Sequence, residues 1–267
     1  MANQQKVAVV GAGVMGEGLI AALTLAGIAP PLITIVEKRR ERVDELITKY
    51  GVISQTLNEA VATNDVILLV VKPQDLQELL LEISPAINKD ALILSFAAGK
   101  RIDFIANHLG TGNPIVRVMP NTPTLIGLGA AGYSCGTGVS PDQKAFVLSL
   151  LNAAGKAIEI DESLQSAVTA TSGSGPAYFF AFVEAMIDSA VELGLSKEDA
   201  TTLTIQTMTG SAALLESSGD SPTTLREKVT SPNGTTAAAI ASFSEDNLAG
   251  IIQRAMRAAH KRAEELA

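Results

Sequence analysis

Lys6-Val-Ala-Val-Val10, followed directly by Gly11-Ala-Gly13-Val-Met-Gly16, decides the fold, because a β-branched apolar run leads into a glycine loop. Lys6 to Val10 predicts a strand buried on both faces, and residues 18–26 predict a helix of small residues. In this context the first glycine makes a tight turn, the second lets a pyrophosphate approach, and the third lets helix and strand pack closely. The helix N-terminus also favours an anion. We therefore expect a dinucleotide site here; the alternative is a glycine turn without a ligand.

The composition of the chain indicates two domains and an oligomer. Of its 267 residues, 47% are hydrophobic and only 18% are charged. No run approaches the ~20 apolar residues that cross a bilayer, so an oligomer interface is the expected place for the additional apolar surface. The net charge of −8 argues against nucleic acid or an anionic membrane as partner.

Cysteine and histidine usage restricts the compartment and the chemistry. The single cysteine, Cys135, excludes an internal disulfide, and the first strand begins too early for a signal peptide, so we expect a cytoplasmic protein. The two histidines, His108 and His260, have no acidic or cysteine neighbours at ligand spacing. We therefore expect no metal site.

The distribution of predicted strands divides the chain in two. Apolar runs that alternate with helices predict an α/β fold, a Rossmann-type doubly wound sheet over residues 1–161. Beyond Asp161 the pattern becomes helical only, which predicts an all-helical C-terminal domain over residues 162–267. The predicted strands after the first are 32–36, 66–71, 91–95, 114–118, 130–135 and 157–160.

Three segments follow predicted strands at the edge where open parallel sheets bind ligands. Glu37 ends the second strand, where an acidic residue favours NAD, but Arg39 and Arg40 follow it and can hold the 2′-phosphate of NADP; the alternative for both arginines is a solvated helix start. Lys72-Pro73 ends another strand. Ala97-Ala98-Gly99 ends a third, where small residues let a ribose or nicotinamide lie close to the backbone.

The helical half carries an apolar stripe and two clusters of glycine and hydroxyl residues. Phe179 to Val191 places apolar side chains at helical spacing, which predicts a homodimer. Ser172 to Tyr178 and Ser231 to Thr236 are both predicted to open helices, either as plain N-caps or as sites for a carboxylate. Met119 to Pro123 predicts a rigid loop at the sheet edge.

The residues missing from these loops restrict the substrate. A hydroxy-acid dehydrogenase usually needs a His or Lys to handle the hydroxyl proton, yet the loops contain no histidine and only Lys72 as a titratable amine. A protonated imine needs no such acid, because its carbon is already electrophilic.

These residues resemble the pyrroline-5-carboxylate reductase family over nearly the whole chain. Beyond the motifs above, the resemblance is most specific in Leu225-Arg-Glu-Lys-Val-Thr-Ser-Pro-Asn-Gly-Thr-Thr236. Two positions depart from the family pattern. Asn233 stands where a glycine is common, and Glu37 stands where a small or hydroxyl residue is more common.

The resemblance implies reduction of 1-pyrroline-5-carboxylate to L-proline by hydride transfer from NADPH, with NADH as an alternative, in a homodimer that can assemble further. It places the substrate carboxylate on the N–H groups of Gly234 and Thr235, within the loop that begins at Ser231, and the Thr236 hydroxyl, the predicted catalytic group, on the ring nitrogen. The predicted cofactor-binding residues, taken from the sequence pattern and the resemblance together, are Gly11, Ala12, Gly13, Val14, Met15, Gly16, Glu37, Arg39, Asn58, Val71, Lys72, Pro73, Ala97, Ala98 and Gly99.

Two other functions compete with this prediction. A β-hydroxyacid dehydrogenase-like enzyme would need a lysine on the helix after Gly175, and residues 176–195 contain none. A dinucleotide sensor would bind NADPH without consuming it when pyrroline-5-carboxylate is added.

Overall fold

The computed structural model describes residues 4–266, which form two compact units. One unit contains the chain through Ser174 and resumes at Ala259, and the other is Gly175–Ala258. The predicted domain boundary at Asp161 follows the change from strands to helices. Packing keeps residues 162–174 with the sheet, because Glu162 accepts hydrogen bonds from the Ile102 N–H (2.8 Å) and the Arg117 guanidinium (3.3 Å).

The first unit contains an eight-stranded sheet with the order β3-β2-β1-β4-β5-β6-β7-β8. Neighbouring strands are parallel except β6 and β7, which are antiparallel, so the doubly wound sheet predicted from the sequence is mixed at one edge. The strands are β1 (Val7–Val10), β2 (Ile33–Val36), β3 (Ile53–Ser54), β4 (Val66–Leu69), β5 (Leu92–Ser95), β6 (Ile115–Met119), β7 (Gly129–Cys135) and β8 (Gly155–Glu159).

In the described part of the chain, seven α-helices accompany the sheet. Short 3₁₀ turns lie at Pro30–Leu32, Thr122–Ile126 and Glu162–Leu164, and a π-helix spans Thr169–Gly173. The α-helices are α1 (Val14–Leu25), α2 (Arg40–Tyr50), α3 (Leu57–Thr63), α4 (Leu76–Ile83), α5 (Ile102–Leu109), α6 (Pro141–Ala153) and α7 (Gln165–Val168).

The core lies on both faces of the sheet, which explains why the first strand is apolar at every position. Val7 and Val9 face one apolar cluster, which includes Leu19 of α1. Ala8 and Val10 face the other cluster, on the side of α3, α4 and α5. A parallel strand covered on both faces has this composition because neither side of it meets water.

The second unit consists of helices α8 (Gly175–Glu192), α9 (Lys197–Ser218), α10 (Pro222–Lys228) and α11 (Thr235–Glu245), with part of α12 (Leu248–Glu265). Ser196 caps α9 by accepting a hydrogen bond from the Asp199 N–H at 3.0 Å. Large apolar side chains remain exposed along α8, among them Phe179 and Phe180, the latter 66% exposed. No helix in the described part of the chain is long and apolar enough to cross a membrane.

Candidate functional site

The glycine loop lies between the carboxyl ends of β1, β2 and β4. Gly11 has φ +95°, its N–H donates to the Val36 carbonyl at 2.9 Å, and a Cβ there would come within 2.5 Å of the Val70 carbonyl oxygen. A Cβ on Gly16 would overlap the carbonyl oxygen of Gly11. The packing of the loop itself therefore requires glycine at both positions.

Gly13 differs, because nothing in the protein requires it to be a glycine. A Cβ there would meet no atom within 4 Å, and its φ of −70° suits any residue. The first hydrogen bond inside α1 runs from the Glu17 N–H to the Gly13 carbonyl at 2.9 Å. The N–H groups at the start of α1, before Glu17, therefore have no acceptor within the helix. Open space beside free N–H groups fits the close approach of a pyrophosphate.

Two oppositely charged side chains, Glu37 and Arg39, form an ion pair just after the end of β2. The Arg39 Nε donates to Glu37 Oε1 at 3.1 Å, and the Arg39 backbone N–H donates to the same oxygen at 3.1 Å. Burial raises the pKa of the Glu37 carboxyl, but the hydrogen bonds and charge of Arg39 outweigh it, so the pKa of this carboxyl lies below its ordinary value. Glu37 is only 10% exposed and Arg39 is 66% exposed. The charged Glu37 carboxylate therefore lies just after the second strand, and the Arg39 guanidinium that pairs with it is exposed to water.

Arg42 holds the back of the glycine loop. Its Nε donates to the Ala12 carbonyl at 3.3 Å and its Nη2 to the Gly13 carbonyl at 3.5 Å. The same guanidinium pairs with Glu17, in the first turn of α1, and with Glu45 at 2.7 Å. These contacts hold the Ala12 and Gly13 carbonyls of the loop in place.

Glu17 is at the centre of this network of charges. Lys49 Nζ and the Tyr50 hydroxyl donate to its Oε1 at 2.8 and 3.0 Å, while Arg42 pairs with Oε2. The hydrogen bonds from Lys49 and then Arg42 lower the pKa of the Glu17 carboxyl from 4.5 to about 2. Glu17 therefore stays charged at every ordinary pH.

The loops after β4 and β5 lie at the same edge of the sheet. Val71, Lys72 and Pro73 follow β4, which ends at Leu69 rather than at the predicted Val71. Ala97, Ala98 and Gly99 follow β5, and Gly99 has φ +76°. A Cβ on Gly99 would come within 2.7 Å of the Leu266 carbonyl oxygen, so the end of the chain packs against this loop. Asn58 is exposed in the first turn of α3.

The loop that opens α11, in the second unit, has no side-chain cap among the described residues. Its N-cap is Gly234, and a Cβ there would overlap the Ser231 hydroxyl. The first internal hydrogen bond runs from the Ala238 N–H to the Gly234 carbonyl at 3.2 Å. Asn233 has φ +60°, the left-handed region that asparagine tolerates. The Gly234 N–H donates to the Ser231 carbonyl at 3.0 Å, so among the described residues a carboxylate would meet unbonded N–H groups only from Thr235 onward.

Helix α8 begins within the Ser172 to Tyr178 cluster, at Gly175, as predicted, but this start is not a free N-terminus. The π-helix Thr169–Gly173 precedes α8 directly, and Ser174 between them has right-handed helical dihedrals. The Ser174 N–H donates to the Thr169 carbonyl at 2.8 Å. The N–H groups here therefore lie within a helical path instead of at a free N-terminus.

Comparison with known proteins decides the family. Residues 162–266 match the family described as pyrroline-5-carboxylate reductase dimerisation, and residues 6–99 match the family described as NADP oxidoreductase coenzyme F420-dependent. A pyrroline-5-carboxylate reductase of Pseudomonas aeruginosa is 40% identical over 98% of this chain and 97% of its own length. This chain belongs to the pyrroline-5-carboxylate reductase family.

Solved structures of the family have the same fold. A pyrroline-5-carboxylate reductase from Coxiella burnetii matches with a TM-score of 0.92 at 34% identity and covers 99% of both chains. Plasmodium falciparum pyrroline carboxylate reductase, solved with NADP bound, matches with a TM-score of 0.89 at 28% identity, over 99% of this chain and 98% of its own. The predicted fold class, a dinucleotide-binding sheet followed by a helical dimerisation domain, is confirmed.

The structure brings most of the predicted cofactor residues to one edge of the sheet. The glycine loop, Glu37 and the segments after β4 and β5 all follow the carboxyl ends of their strands. The predicted substrate residues Ser231, Gly234, Thr235 and Thr236 lie together at the start of α11 in the other unit.

Arg42 is the residue that sequence reasoning missed. It lies on the face of α2 that also buries Val43 and Leu46, and its own side chain is only 14% exposed. Two features of the sequence could have identified it. Arg42 is a basic residue on the inward side of the amphipathic helix α2, and an acidic residue that it could pair with, Glu17, lies in the first turn of α1.

Proposed function

We propose that this chain reduces the C=N bond of 1-pyrroline-5-carboxylate to give L-proline, taking the hydride from NADPH, with NADH as an alternative donor. The names of its relatives and the NADP-bound relative support this activity. The observation that carries the proposal is the start of α11, where the described residues provide no side-chain cap for the N–H groups that follow Gly234 and where the half-buried Thr236 lies in the first turn. A dinucleotide sensor would not need a second anion site of this kind.

The first unit is suited to hold the dinucleotide at the carboxyl edge of its sheet. The N–H groups at the start of α1 bind the pyrophosphate, and the open space beside Gly13 admits it. The cofactor supplies the hydride. Ala97 and Ala98, with small side chains after β5, let its ribose and nicotinamide lie close to the backbone.

The start of α11 is suited to hold and orient the substrate. The carboxylate binds at the positive end of the helix dipole, on the Thr235 N–H and on the Gly234 N–H once the substrate displaces the Ser231 carbonyl, which accepts from Gly234 at 3.0 Å. The Thr236 hydroxyl then hydrogen-bonds the ring nitrogen, which loses its positive charge as its neighbouring carbon receives the hydride. Thr236 passes a proton from water only where the imine arrives neutral. Most of the rate therefore comes from orientation, because a protonated imine is already electrophilic.

Substitution of Thr236 tests this proposal. Thr236→Ala should bind NADPH normally and lose about 10-fold to 100-fold in kcat, at the low end for positioned acid–base groups. Thr236→Ser should keep most of the activity. Ser244→Ala, which removes an exposed hydroxyl bonded to the Ile240 carbonyl on the same helix, is the matched control. Parental kcat in Thr236→Ala would refute the role of the hydroxyl, and absence of NADPH consumption by the parent would refute the reaction itself.

We also propose a homodimer assembled through residues 162–267. The match of residues 162–266 to the dimerisation family and the exposed apolar side chains of α8 support it. Light scattering at micromolar concentration measures the mass, and a single monomeric species would contradict the proposal. Larger assemblies built from dimers would appear as multiples of the dimer mass in the same experiment.

A cytoplasmic location completes the proposal. Cys135 is the only cysteine and is half-buried, and burial is the main reason why its pKa is raised to about 11. A thiol of this kind stays protonated and does not require an oxidising compartment. Cell fractionation with an antibody against the chain tests the location.

A further inference from the structure

Asn121 connects three segments of the first unit through one buried carboxamide. It follows β6 and is only 9% exposed. Its Oδ1 accepts a hydrogen bond from the Ala130 N–H in β7 at 2.8 Å, and its Nδ2 donates to the Ser172 carbonyl in the π-helix at 3.1 Å. Both ends of the side chain are therefore bonded to backbone groups of other segments.

The Ser172 carbonyl has a chemical reason to need this donor. In an α-helix it would accept from the N–H four residues later, and that residue is Pro176, which has no N–H. Ser172 is half-buried, and a carbonyl that is shielded from water and has no donor costs free energy, so this carbonyl is stabilised by a donor from outside the helix. The Asn121 side chain supplies one.

A second contact joins the end of β6 to the π-helix. A Cβ on Gly173 would come within 2.5 Å of the Cε of Met119, the last residue of β6, so the end of this strand packs directly against the backbone of the π-helix. Because β6 is parallel to β5, the end of β6 and Asn121 after it lie at the carboxyl edge of the sheet, where the glycine loop also lies. π-helical turns are rare and occur frequently at functional sites.

We propose that Asn121 is a positioning residue for imine reduction, which holds the segment from Ser172 to Gly175 in place at the carboxyl edge of the sheet. This rests on the function proposed above. When the bond to the Ser172 carbonyl is lost, the segment moves, and the substrate ring no longer lies correctly against the nicotinamide. Misplacement of about an ångström is enough to lower turnover strongly. The cofactor keeps its affinity, because the glycine loop that binds it makes no bond to Asn121.

Asn121→Asp is the variant that tests this. It keeps the acceptor for the Ala130 N–H and replaces the donor to the Ser172 carbonyl by an oxygen. Asn113→Asp is the matched control, because Asn113 is equally buried in the same unit and its Nδ2 donates to the carbonyls of Asn88, Lys89 and Ala91. We expect kcat/KM for pyrroline-5-carboxylate to fall roughly 10-fold to 100-fold in Asn121→Asp, with the Kd for NADPH within about threefold of the parent. We expect Asn113→Asp to lower Tm and leave kcat/KM within about twofold.

Pro176→Ala provides a test that a merely structural role would not pass. The new N–H can donate to the Ser172 carbonyl, so Asn121→Asp should cost at least about threefold less in the Pro176→Ala background than in the parent. Hydrogen exchange of residues 168–176 should quicken in Asn121→Asp and slow again in the double variant. The exchange measurement needs no turnover, so it tests the contact even if the parent does not reduce pyrroline-5-carboxylate.

Any of three results would overturn the proposal. The first is a parental kcat/KM in Asn121→Asp, and the second is a double variant whose loss of kcat/KM equals the product of the losses caused by Asn121→Asp and by Pro176→Ala alone. The third is that the Asn121 and Asn113 variants lose Tm and activity equally, which would make Asn121 a structural residue. If Asn121→Asp does not fold, Asn121→Ser, which also lacks the amide donor, is compared with the same controls and judged by the same outcomes.

Discussion

Replacing Glu37 by serine should shift cofactor preference toward NADPH, because this carboxylate stands at the end of β2 where the adenosine ribose binds in such sheets. Its pKa lies below the ordinary value, so it is charged at neutral pH. Two unit charges about 6 Å apart at an effective dielectric constant of about 40 repel each other by ~1.4 kcal/mol, a factor of about ten in affinity. The substitution also frees the Arg39 guanidinium, now bonded to Glu37 at 3.1 Å, to meet a 2′-phosphate.

The assay is kcat/KM for NADPH and for NADH, measured with pyrroline-5-carboxylate at saturation. The NADPH to NADH ratio should rise about tenfold or more in Glu37→Ser and fall in Arg39→Ser, which leaves the carboxylate without its cation. Arg40→Ser is the control, since Arg40 pairs with Asp44 and its side chain is 86% exposed. A ratio that does not change in Glu37→Ser would refute the placement of the ribose beside the end of β2.

Three further predictions follow from the glycine loop, the α11 loop and the charge network. Gly13→Ala should keep the parental Tm and raise the Kd for NADPH about tenfold or more. Gly16→Ala should lower both the affinity for NADPH and the Tm, because its Cβ would overlap the Gly11 carbonyl. Equal losses of Tm in the two variants would show that Gly13 is needed for packing alone. Asn233→Ala should lower the free energy of unfolding by about 1–2 kcal/mol, because φ is +60° at this position, and Asn233→Gly should not lower it. Equal urea midpoints for the two variants would refute this prediction. The pKa of Glu17 falls from 4.5 to about 2 on folding, so its contribution to stability is present above pH 4.5 and is lost as pH falls toward 2. Glu17→Gln should remove this part of the acid dependence of the urea midpoint, and an unchanged dependence would contradict it.

The strand, glycine loop and first helix could be predicted because local pattern and tertiary environment agree there. The antiparallel pairing of β7 could not be read from its own residues, since strand periodicity is the same in both directions. The segment between β6 and β7 did carry the information: residues 120–128 are too few for a parallel crossover, which takes a dozen residues or more. Helix α3 also had a visible signal, because Thr56 and Glu59 form a capping box at its start.

Other parts of the site had no local signal. The π-helix Thr169–Gly173 consists of small and hydroxyl residues whose sequence matches a loop equally well. Its geometry depends on contacts from residues far along the chain, such as the bond from Asn121 to the Ser172 carbonyl. Conversely, the start of α11 was predicted as either a cap or an anion site, and its sequence could not show that the described residues form no side-chain cap there.

The net charge of −8 does not oppose an anionic cofactor, because the field at the glycine loop is set by nearby groups. Charges farther away than the Debye length, about 8 Å at physiological salt, are largely screened. Near the loop, the carboxylates of Glu17 and Glu45 are matched by Arg42 and Lys49, so this network has no net charge. The free N–H groups of α1 then act on the pyrophosphate with the charge of Glu17 already neutralised. A composition argument against polyanionic partners therefore holds for large surfaces and not for a single site, where a few cations such as Arg42 and Lys49 neutralise the local carboxylates.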